Sequence, residues 1–213
     1  MRGKFQRLID YFALLDEPRR PWPDLDRLKT RFFELSATLH PDRHHEAPPA
    51  ERAAATRDYT DLNAAYRCLS DPKERVLHLL ELERSCKPAE IQPIADHLMS
   101  VGMDVGQLCR DIDRFLAATP ATTAPLLQVQ RFQQSQVWTE KALALQKQLI
   151  TRRDEVGRTL EQMNPAWETA PPLGSPVRAE ALPLTELEEQ FRLLSFLDRW
   201  IAQLQQRITQ LAL

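Results

Sequence analysis

Apolar residues recur at helical spacing in several stretches of the chain, and prolines separate these stretches. After "YFALLDEPRRPWP", intervals of three and four residues predict an amphipathic helix with Asp24 as its N-cap. The helix is predicted to end near His40, because Pro41 disfavours helical geometry at the residue before it. Its apolar stripe consists of Leu25, Leu28, Phe32, Leu35 and Leu39.

A second apolar stripe follows a loop rich in proline and histidine, and it consists of Tyr59, Leu62, Tyr66 and Leu69. We expect the two helices to pack as an antiparallel pair, because the loop between them is short. The next stretch, "SDPKERVLHLLELE", predicts a short buried helix. Asp71 would cap it, Pro72 suits its first position, and Glu74 completes a capping box.

The second half of the chain predicts three longer helices. Capping-box patterns at Asp104 with Gln107 and at Thr185 with Glu188 predict where two of them begin. The predicted bounds are about Asp104 to Ala118, about Leu126 to Met163, and Thr185 to near the C-terminus. Each helix has a single apolar face, so we expect a three-helix bundle. Between the last two, "NPAWETAPPLGSPVRAEALP" is too rich in proline for regular structure and predicts an exposed excursion.

The predicted fold class is therefore all-α, with two domains. The first is the helical hairpin with its short helices, over residues 8–84. A linker over residues 85–96 contains "RSCKPAEIQP". The second domain is the three-helix bundle over residues 97–213, with a proline-rich insertion near residues 164–183.

Composition narrows the function classes. The chain has 213 residues, of which 43% are hydrophobic, and its 5 glycines and 7% aromatics argue against a sheet-rich enzyme. A net charge of -2 gives no basic field for non-specific nucleic-acid binding. The 3 cysteines are widely spaced, which favours a reducing compartment. No apolar run reaches membrane-spanning length, and the start of the chain is interpreted as mature sequence, so we predict a cytoplasmic protein.

The loop after the first helix reads "LHPDRHHEAPP", and a helical hairpin joined by His-Pro-Asp is a specific combination. Together with "NAAYRCLSDPKER", this arrangement resembles the J domain, which stimulates ATP hydrolysis by heat-shock chaperones of the DnaK type. The segments "DYFALLD", "RFFELSATLHPDR", "HLMSVGMDV" and "RLLSFLDRW" resemble the iron–sulfur co-chaperone HscB family more closely. The resemblance covers nearly the whole chain apart from the proline-rich insertion.

The resemblance implies two partners and no cofactor. One is a DnaK/HscA-type chaperone, whose ATPase would be contacted by the loop and the basic face of the preceding helix. The implied chaperone-binding residues are His40, Pro41, Asp42, Arg43, Arg31, Lys29 and Arg27. Pro41 rigidifies the loop, which lowers the entropic cost of docking. The two turns before the loop are poor in charge, and this predicts selectivity for a dedicated chaperone.

The other implied partner is an iron–sulfur scaffold protein, bound as client by an apolar patch on the bundle. Matching by position gives Leu98, Met99 and Phe196 as client-binding residues. The next apolar position of the family falls on Gly102, where Met103 beside it is the substitute. Gly102 and Gly106 are expected to interrupt the local helix and alter the patch, which leaves a different client as an alternative.

Two other readings of the histidine-rich loop are open. His40, His44, His45 and Glu46 could bind a metal, but Pro41 separates His40 from the helical spacing that such a site needs. Catalysis by His40 and Asp42 is disfavoured, because the chain has no phosphate-binding loop and no nucleophile motif. The sequence therefore predicts a non-enzymatic co-chaperone, with a J protein for another client and a helical metal-binding protein as alternatives.

Overall fold

The computed structural model describes residues 8–44, 47–84, 96–118 and 125–212. These residues form α-helices, one short 3-10 helix and irregular connections, without any strand, so the all-α prediction is confirmed. The helices are α1 (Tyr11–Leu14), α2 (Leu25–Leu39), the 3-10 helix (Pro41–His44), α3 (Pro49–Ser70), α4 (Pro72–Arg84), α5 (Asp96–Ala118), α6 (Pro125–Glu168), α7 (Arg178–Ala181) and α8 (Leu184–Leu211).

The chain divides into two compact units. Unit 1 contains Met1–Pro88 and Gly157–Phe191, and unit 2 contains Ala89–Val156 and Arg192–Leu213. Residues 157–191 therefore group with the N-terminal helices, although the sequence pattern assigns them to the bundle. Most of the predicted linker over residues 85–96 lies outside the described residues, which resume at the start of α5.

Side-chain caps define how two helices of unit 1 begin, as the sequence predicts. The Asp24 carboxylate accepts hydrogen bonds from the backbone N–H groups of Asp26 and Arg27, at 3.0 and 3.1 Å. At the start of α4, Asp71 Oδ1 accepts from the Glu74 backbone N–H at 2.9 Å, and Pro72 is the first helical residue. Each cap satisfies N–H groups that lack a partner inside the helix.

The core of unit 1 forms where α2, α3 and α4 meet. Phe32 of α2 stacks on Tyr66 of α3, with 4.2 Å between the ring centroids. The fully buried side chains around them are Leu28, Leu62, Leu69, Val76, Leu79 and Leu80. Burial of each such side chain contributes roughly 1.5–3 kcal/mol, and the apolar stripes are thus the main source of stability.

A buried arginine joins α4 to the segment between α1 and α2. The guanidinium of Arg75 is fully buried, and it donates to the carbonyl oxygens of Pro21 at 2.8 Å and Leu69 at 2.6 Å. It also lies over the Trp22 ring, 4.9 Å from the centroid. Burial lowers the pKa of Arg75 to about 10, so it remains a cation at neutral pH.

The prediction of an exposed, irregular proline-rich excursion is correct for the middle of the segment, where residues 169–177 form no helix and are mostly exposed, and wrong for its two ends. Helix α6 continues through Pro165 to Glu168, and Trp167, Arg178 and Leu182 are buried. The Arg178 guanidinium donates to both carboxylate oxygens of Glu83, at 2.8 and 3.0 Å. This pair explains the difference, because a buried bidentate ion pair is a tertiary contact that local composition does not reveal.

The Trp22 backbone provides a second attachment for the same part of unit 1. Asn164 in α6 accepts from the Trp22 N–H at 3.0 Å and donates to the Trp22 carbonyl oxygen at 2.7 Å. The Trp22 ring lies close to Gly157, where an added Cβ would be 3.1 Å from the ring. The end of α6 therefore packs directly on the connection between α1 and α2 within unit 1.

Two predicted helix starts are wrong. Helix α5 begins at Asp96, so Asp104 lies inside it, and the helix runs through Gly102 without interruption. Helix α8 begins at Leu184, one residue before Thr185, and Glu188 forms an ion pair with Arg84 of α4. For α8, the side chain that the capping pattern assigned to the helix start is instead engaged in a tertiary contact.

The three-helix bundle is confirmed in unit 2, where α5, α6 and α8 share one core. Its buried centre is Ile112, Ala142 and Leu211, one from each helix. Polar pairs join the helices around this centre: Arg153 with Asp198 at 2.7 Å, and Arg207 with Asp113 at 2.8 Å.

At Gly102, α5 lies close against a side chain of α8. A Cβ at this position would lie 2.8 Å from Cζ2 of Trp200, whose side chain is buried. A rigid indole cannot give way as a flexible side chain could. Gly102 is therefore required for packing, and its low helix propensity is outweighed by the tertiary contact.

His78 in α4 gives unit 1 a specific dependence on pH. Its Nε2 accepts from the Tyr11 backbone N–H at 3.1 Å, and its ring stacks on Tyr11. Burial lowers its pKa from 6.5 to about 4; Asp10 opposes this shift and Arg19 reinforces it. The unfolded chain binds a proton at His78 between these values, whereas the folded chain does not. Its contribution to stability is therefore complete above about pH 6.5 and declines towards about pH 4.

We expect the Tm, measured by circular dichroism, to fall as the pH is lowered below 6.5, and we attribute part of this fall to His78. The variant His78→Gln keeps a hydrogen-bond acceptor but does not titrate. Its Tm should change less between neutral pH and about pH 5 than that of the parent protein. An identical change in both proteins would show that His78 is not the titrating group.

A matched pair of glycine substitutions tests the packing of α5. Gly102→Ala should lower the free energy of unfolding by about 1–3 kcal/mol, because the new methyl group collides with Trp200. Gly106→Ala should leave it unchanged or raise it by up to about 1 kcal/mol, because its Cβ would meet only the flexible Arg110 side chain. Equal effects in urea denaturation would contradict the close approach at Gly102.

Candidate functional site

The turn between α2 and α3 is held in one backbone conformation. Helix α2 ends at Leu39, and His40 leaves helical geometry with φ −59° and ψ 128°. Pro41 then begins a single turn of 3-10 helix, in which the Arg43 N–H donates to the His40 carbonyl oxygen at 3.0 Å. The extended geometry at His40 is what a following proline favours. The sequence His-Pro-Asp therefore specifies the shape of the turn.

His40 and Asp42 lie together in this turn. His40 Nδ1 accepts from the Asp42 backbone N–H at 3.3 Å, and the Asp42 carboxylate is 3.5 Å from the same nitrogen. The His40 ring meets Tyr59 of α3 edge-on, with 5.2 Å between centroids. The Asp42 side chain is 89% exposed. The arrangement thus holds the imidazole against α3 and presents a carboxylate to solvent, where it can pair with a cation of a partner.

The basic residues of α2 are not equivalent. Arg27 lies 3.0 Å from the carboxylate of Glu17, which is buried between α1 and α2. Arg31 lies 3.1 Å from Glu34 and 3.8 Å from Asp16. Two of the three predicted cations on this helix therefore form ion pairs within the unit.

Lys29 and Arg43 are more available. Both side chains are exposed, and Lys29 forms no ion pair with the part of the chain that the structure describes.

Arg27 has a role inside the unit, next to Glu17. Burial raises the pKa of Glu17, whereas Arg27 and Arg20 lower it, and this shows that the charge of Arg27 supports a buried carboxylate. The sequence does not reveal this role, although the acidic "LDEP" after α1 is the available signal.

The metal interpretation concerns a loop that the structure describes only in part. His45 and Glu46 lie outside the described residues. Within the residues that are described, no group of three or more His, Cys, Asp or Glu side chains could hold a metal ion.

The predicted client-binding residues differ in exposure. Leu98 is 3% exposed, and its side chain packs inside unit 2. Met99 and Met103 are 50% and 68% exposed, one helical turn apart on α5. Phe196 is half-buried and stacks on Trp200, at 5.8 Å between ring centroids. Trp200, which the sequence interpretation did not select, thus supports Phe196 on one side and contacts Gly102 on the other.

The described residues contain no helix that is both long and apolar enough to cross a membrane. The described cysteines, Cys68 and Cys109, are free thiols. Burial raises the pKa of Cys68 to about 12, so this thiol is protonated and unreactive at neutral pH.

Comparison with known proteins agrees with the geometry of the turn. Residues 10–78 match the DnaJ domain family. Among solved structures, the chaperone HscB from Vibrio cholerae matches with a TM-score of 0.55 and 20% identity, over 95% of this chain and 99% of that one. The human co-chaperone protein HscB matches with a TM-score of 0.54 and 21% identity, over 96% of this chain and 82% of that one.

The family match concerns the N-terminal part of the chain, whereas the matches to solved structures concern nearly all of it. The family match includes α1, α2, α3 and the His40–Asp42 turn. The structural matches extend over both units, and at this level of identity they establish the fold. Residues 10–78 are therefore a DnaJ domain, and the chain as a whole has the fold of the HscB chaperones.

Proposed function

We propose that this protein is a non-enzymatic co-chaperone that stimulates the ATPase of an Hsp70 chaperone of the DnaK/HscA type. The observation that carries the proposal is the preformed His40–Asp42 turn within a DnaJ domain. Because the turn is already ordered, docking costs little conformational entropy. Asp42 and Arg43 supply exposed charges at the turn, and Lys29 supplies one on α2.

The roles of the remaining chaperone-binding residues follow from their contacts. Pro41 restricts the backbone between His40 and Asp42. Arg27 and Arg31 add positive potential to this side of the domain, but their ion pairs with Glu17 and Glu34 reduce what each contributes. We assign the main polar contacts to the turn and Lys29. The free thiols of Cys68 and Cys109 suit action in the cytoplasm, where thiols remain reduced.

We further propose that unit 2 binds an iron–sulfur scaffold protein and delivers it to the chaperone. The support is the HscB fold, together with exposed Met99 and Met103 and half-buried Phe196 in the same unit. Leu98 is buried, so it would hold α5 in place within unit 2 and would not contact the client directly. Flexible methionine side chains adapt to irregular apolar surfaces, which suits a protein client.

One observation favours a different client as the second candidate. Gly102 occupies a position where the HscB resemblance implies an apolar side chain, and Trp200 packs against it. At this position unit 2 therefore has the buried Trp200 ring, with the half-buried Phe196 stacked on it, in place of an apolar side chain on α5. A client with a different complementary surface would fit this change.

The chaperone assignment predicts the effect of substitutions in the turn. His40→Gln and Asp42→Asn should each reduce the stimulation of steady-state ATP hydrolysis by at least about tenfold, because the turn then lacks its imidazole or its carboxylate charge. The matched control is Asp58→Asn, which removes an exposed acid from α3 and should leave stimulation unchanged. Full stimulation by His40→Gln would refute this mode of chaperone contact.

The client assignment predicts retention of the scaffold protein in a pull-down. Met99→Ala combined with Met103→Ala should weaken binding by about tenfold or more, because two exposed apolar contacts are removed. Leu143→Ala, which removes an exposed leucine from α6 in the same unit, is the control and should bind normally. Failure of the unsubstituted protein to retain the scaffold would exclude this client and leave the chaperone assignment intact.

A further inference from the structure

The exposed face of α2 carries an aromatic side chain that the core does not use. Phe33 is 58% exposed, whereas the neighbouring Phe32 points inward and stacks on Tyr66 of α3. The two phenylalanine rings are tilted, with 5.6 Å between centroids, and more than half of the Phe33 surface remains accessible to solvent. Packing of α2 is therefore provided by Phe32 and Leu28, and Phe33 is available for another contact.

Phe33 lies on the same side of the helix as the His40–Asp42 turn. Lys29, Phe33 and Ala37 are all exposed and follow one another at intervals of four residues, and we call these three residues the α2 strip. His40 comes seven residues after Phe33, which is two helical turns and about 10 Å along the axis. A partner that docks on the turn and extends along α2 therefore meets Phe33.

Among the described residues, few unpaired charges lie near the α2 strip, so an apolar contact at Phe33 would contribute a large part of the binding free energy there. Arg27 and Arg31 form ion pairs with acids of their own unit, and Lys29 is the exposed cation of the strip. Ala37, between Phe33 and the turn, is small and uncharged. A surface of this kind binds an apolar patch with an acidic group beside it better than it binds a broadly acidic surface.

The size of the effect is sufficient to distinguish one partner from another. Complete burial of a phenylalanine side chain contributes enough to change a dissociation constant by roughly ten- to a hundredfold. A chaperone that places a charged or polar group opposite Phe33 loses this contribution and also leaves its own group desolvated.

We propose that Phe33 is an apolar anchor that determines which Hsp70 chaperone this protein recognises. The inference rests on the proposed function, because its occupant is the same chaperone that engages the His40–Asp42 turn. The chaperone surface opposite the α2 strip would present an apolar depression for Phe33 and a carboxylate for Lys29. Continuity of the strip with the turn identifies the chaperone as the occupant, in preference to a second copy of this chain.

The test measures ATPase stimulation as a function of co-chaperone concentration. Phe33→Ala should raise the concentration for half-maximal stimulation at least about tenfold, and maximal stimulation should remain unchanged because the turn is intact. Leu25→Ala is the control, since Leu25 is an exposed apolar residue of the same helix but lies eight residues before Phe33, at the end of α2 away from the His40–Asp42 turn. It should stay within about twofold of the parent protein. Unchanged Tm values would confirm that both variants fold.

The salt dependence provides a second readout. Phe33→Lys should bind more weakly than the parent protein and depend more strongly on salt, because an apolar contact is replaced by a further exposed charge. Parent-like titrations for Phe33→Ala would overturn this inference, while loss of stimulation by His40→Gln would still support the proposed function. No stimulation by the parent protein would overturn both. A shift from dimer to monomer in Phe33→Ala, measured by sedimentation, would assign the strip to self-association and overturn the inference.

Discussion

The buried guanidinium of Arg75 is the interaction on which the arrangement of unit 1 depends. It joins the end of α3, through the Leu69 carbonyl, to the chain before α2, through the Pro21 carbonyl, and it holds the Trp22 ring. A buried cation without such partners would be costly, so the charge requires these backbone groups to remain in place. Trp22, fixed in this way, offers its backbone to Asn164. One side chain thus links the packing of the DnaJ domain to the end of α6.

The parts of the fold that depend on local chemistry could be predicted from the sequence. Asp24 and Asp71 cap their helices because a carboxylate close to free N–H groups is a local contact. The end of α2 at Leu39 follows equally from Pro41. By contrast, Glu83 and Arg178 are 95 residues apart, and no pattern in either neighbourhood identifies the other as its partner. The proline-rich segment is therefore mostly exposed, as its composition predicts, but it is held by buried contacts that its composition does not reveal.

The candidate site divides in the same way. The His40–Asp42 turn could be predicted because its three residues determine its own backbone. The state of Arg27 could not, because it depends on the burial of Glu17 and on Asp16, which has a positive φ of 55° after α1. Gly102 shows the reverse error: its low helix propensity predicted an interruption, but the closeness of Trp200 requires a residue without a side chain. The deciding contact comes from the connection before α2 for Arg27 and from a different helix for Gly102.

The ion pair between Glu83 and Arg178 has a consequence for exchanging this DnaJ domain with those of other proteins. A fragment that ends at residue 84 would contain Glu83 but lack its partner Arg178, and it would contain Trp22 but lack its partner Asn164. A carboxylate and a large aromatic surface, both shielded in the whole chain, would then meet water. A chimera that keeps the domain in its native state must also carry residues 157–191. The DnaJ family match is one continuous segment of sequence, whereas the compact unit that contains it is built from two separate segments.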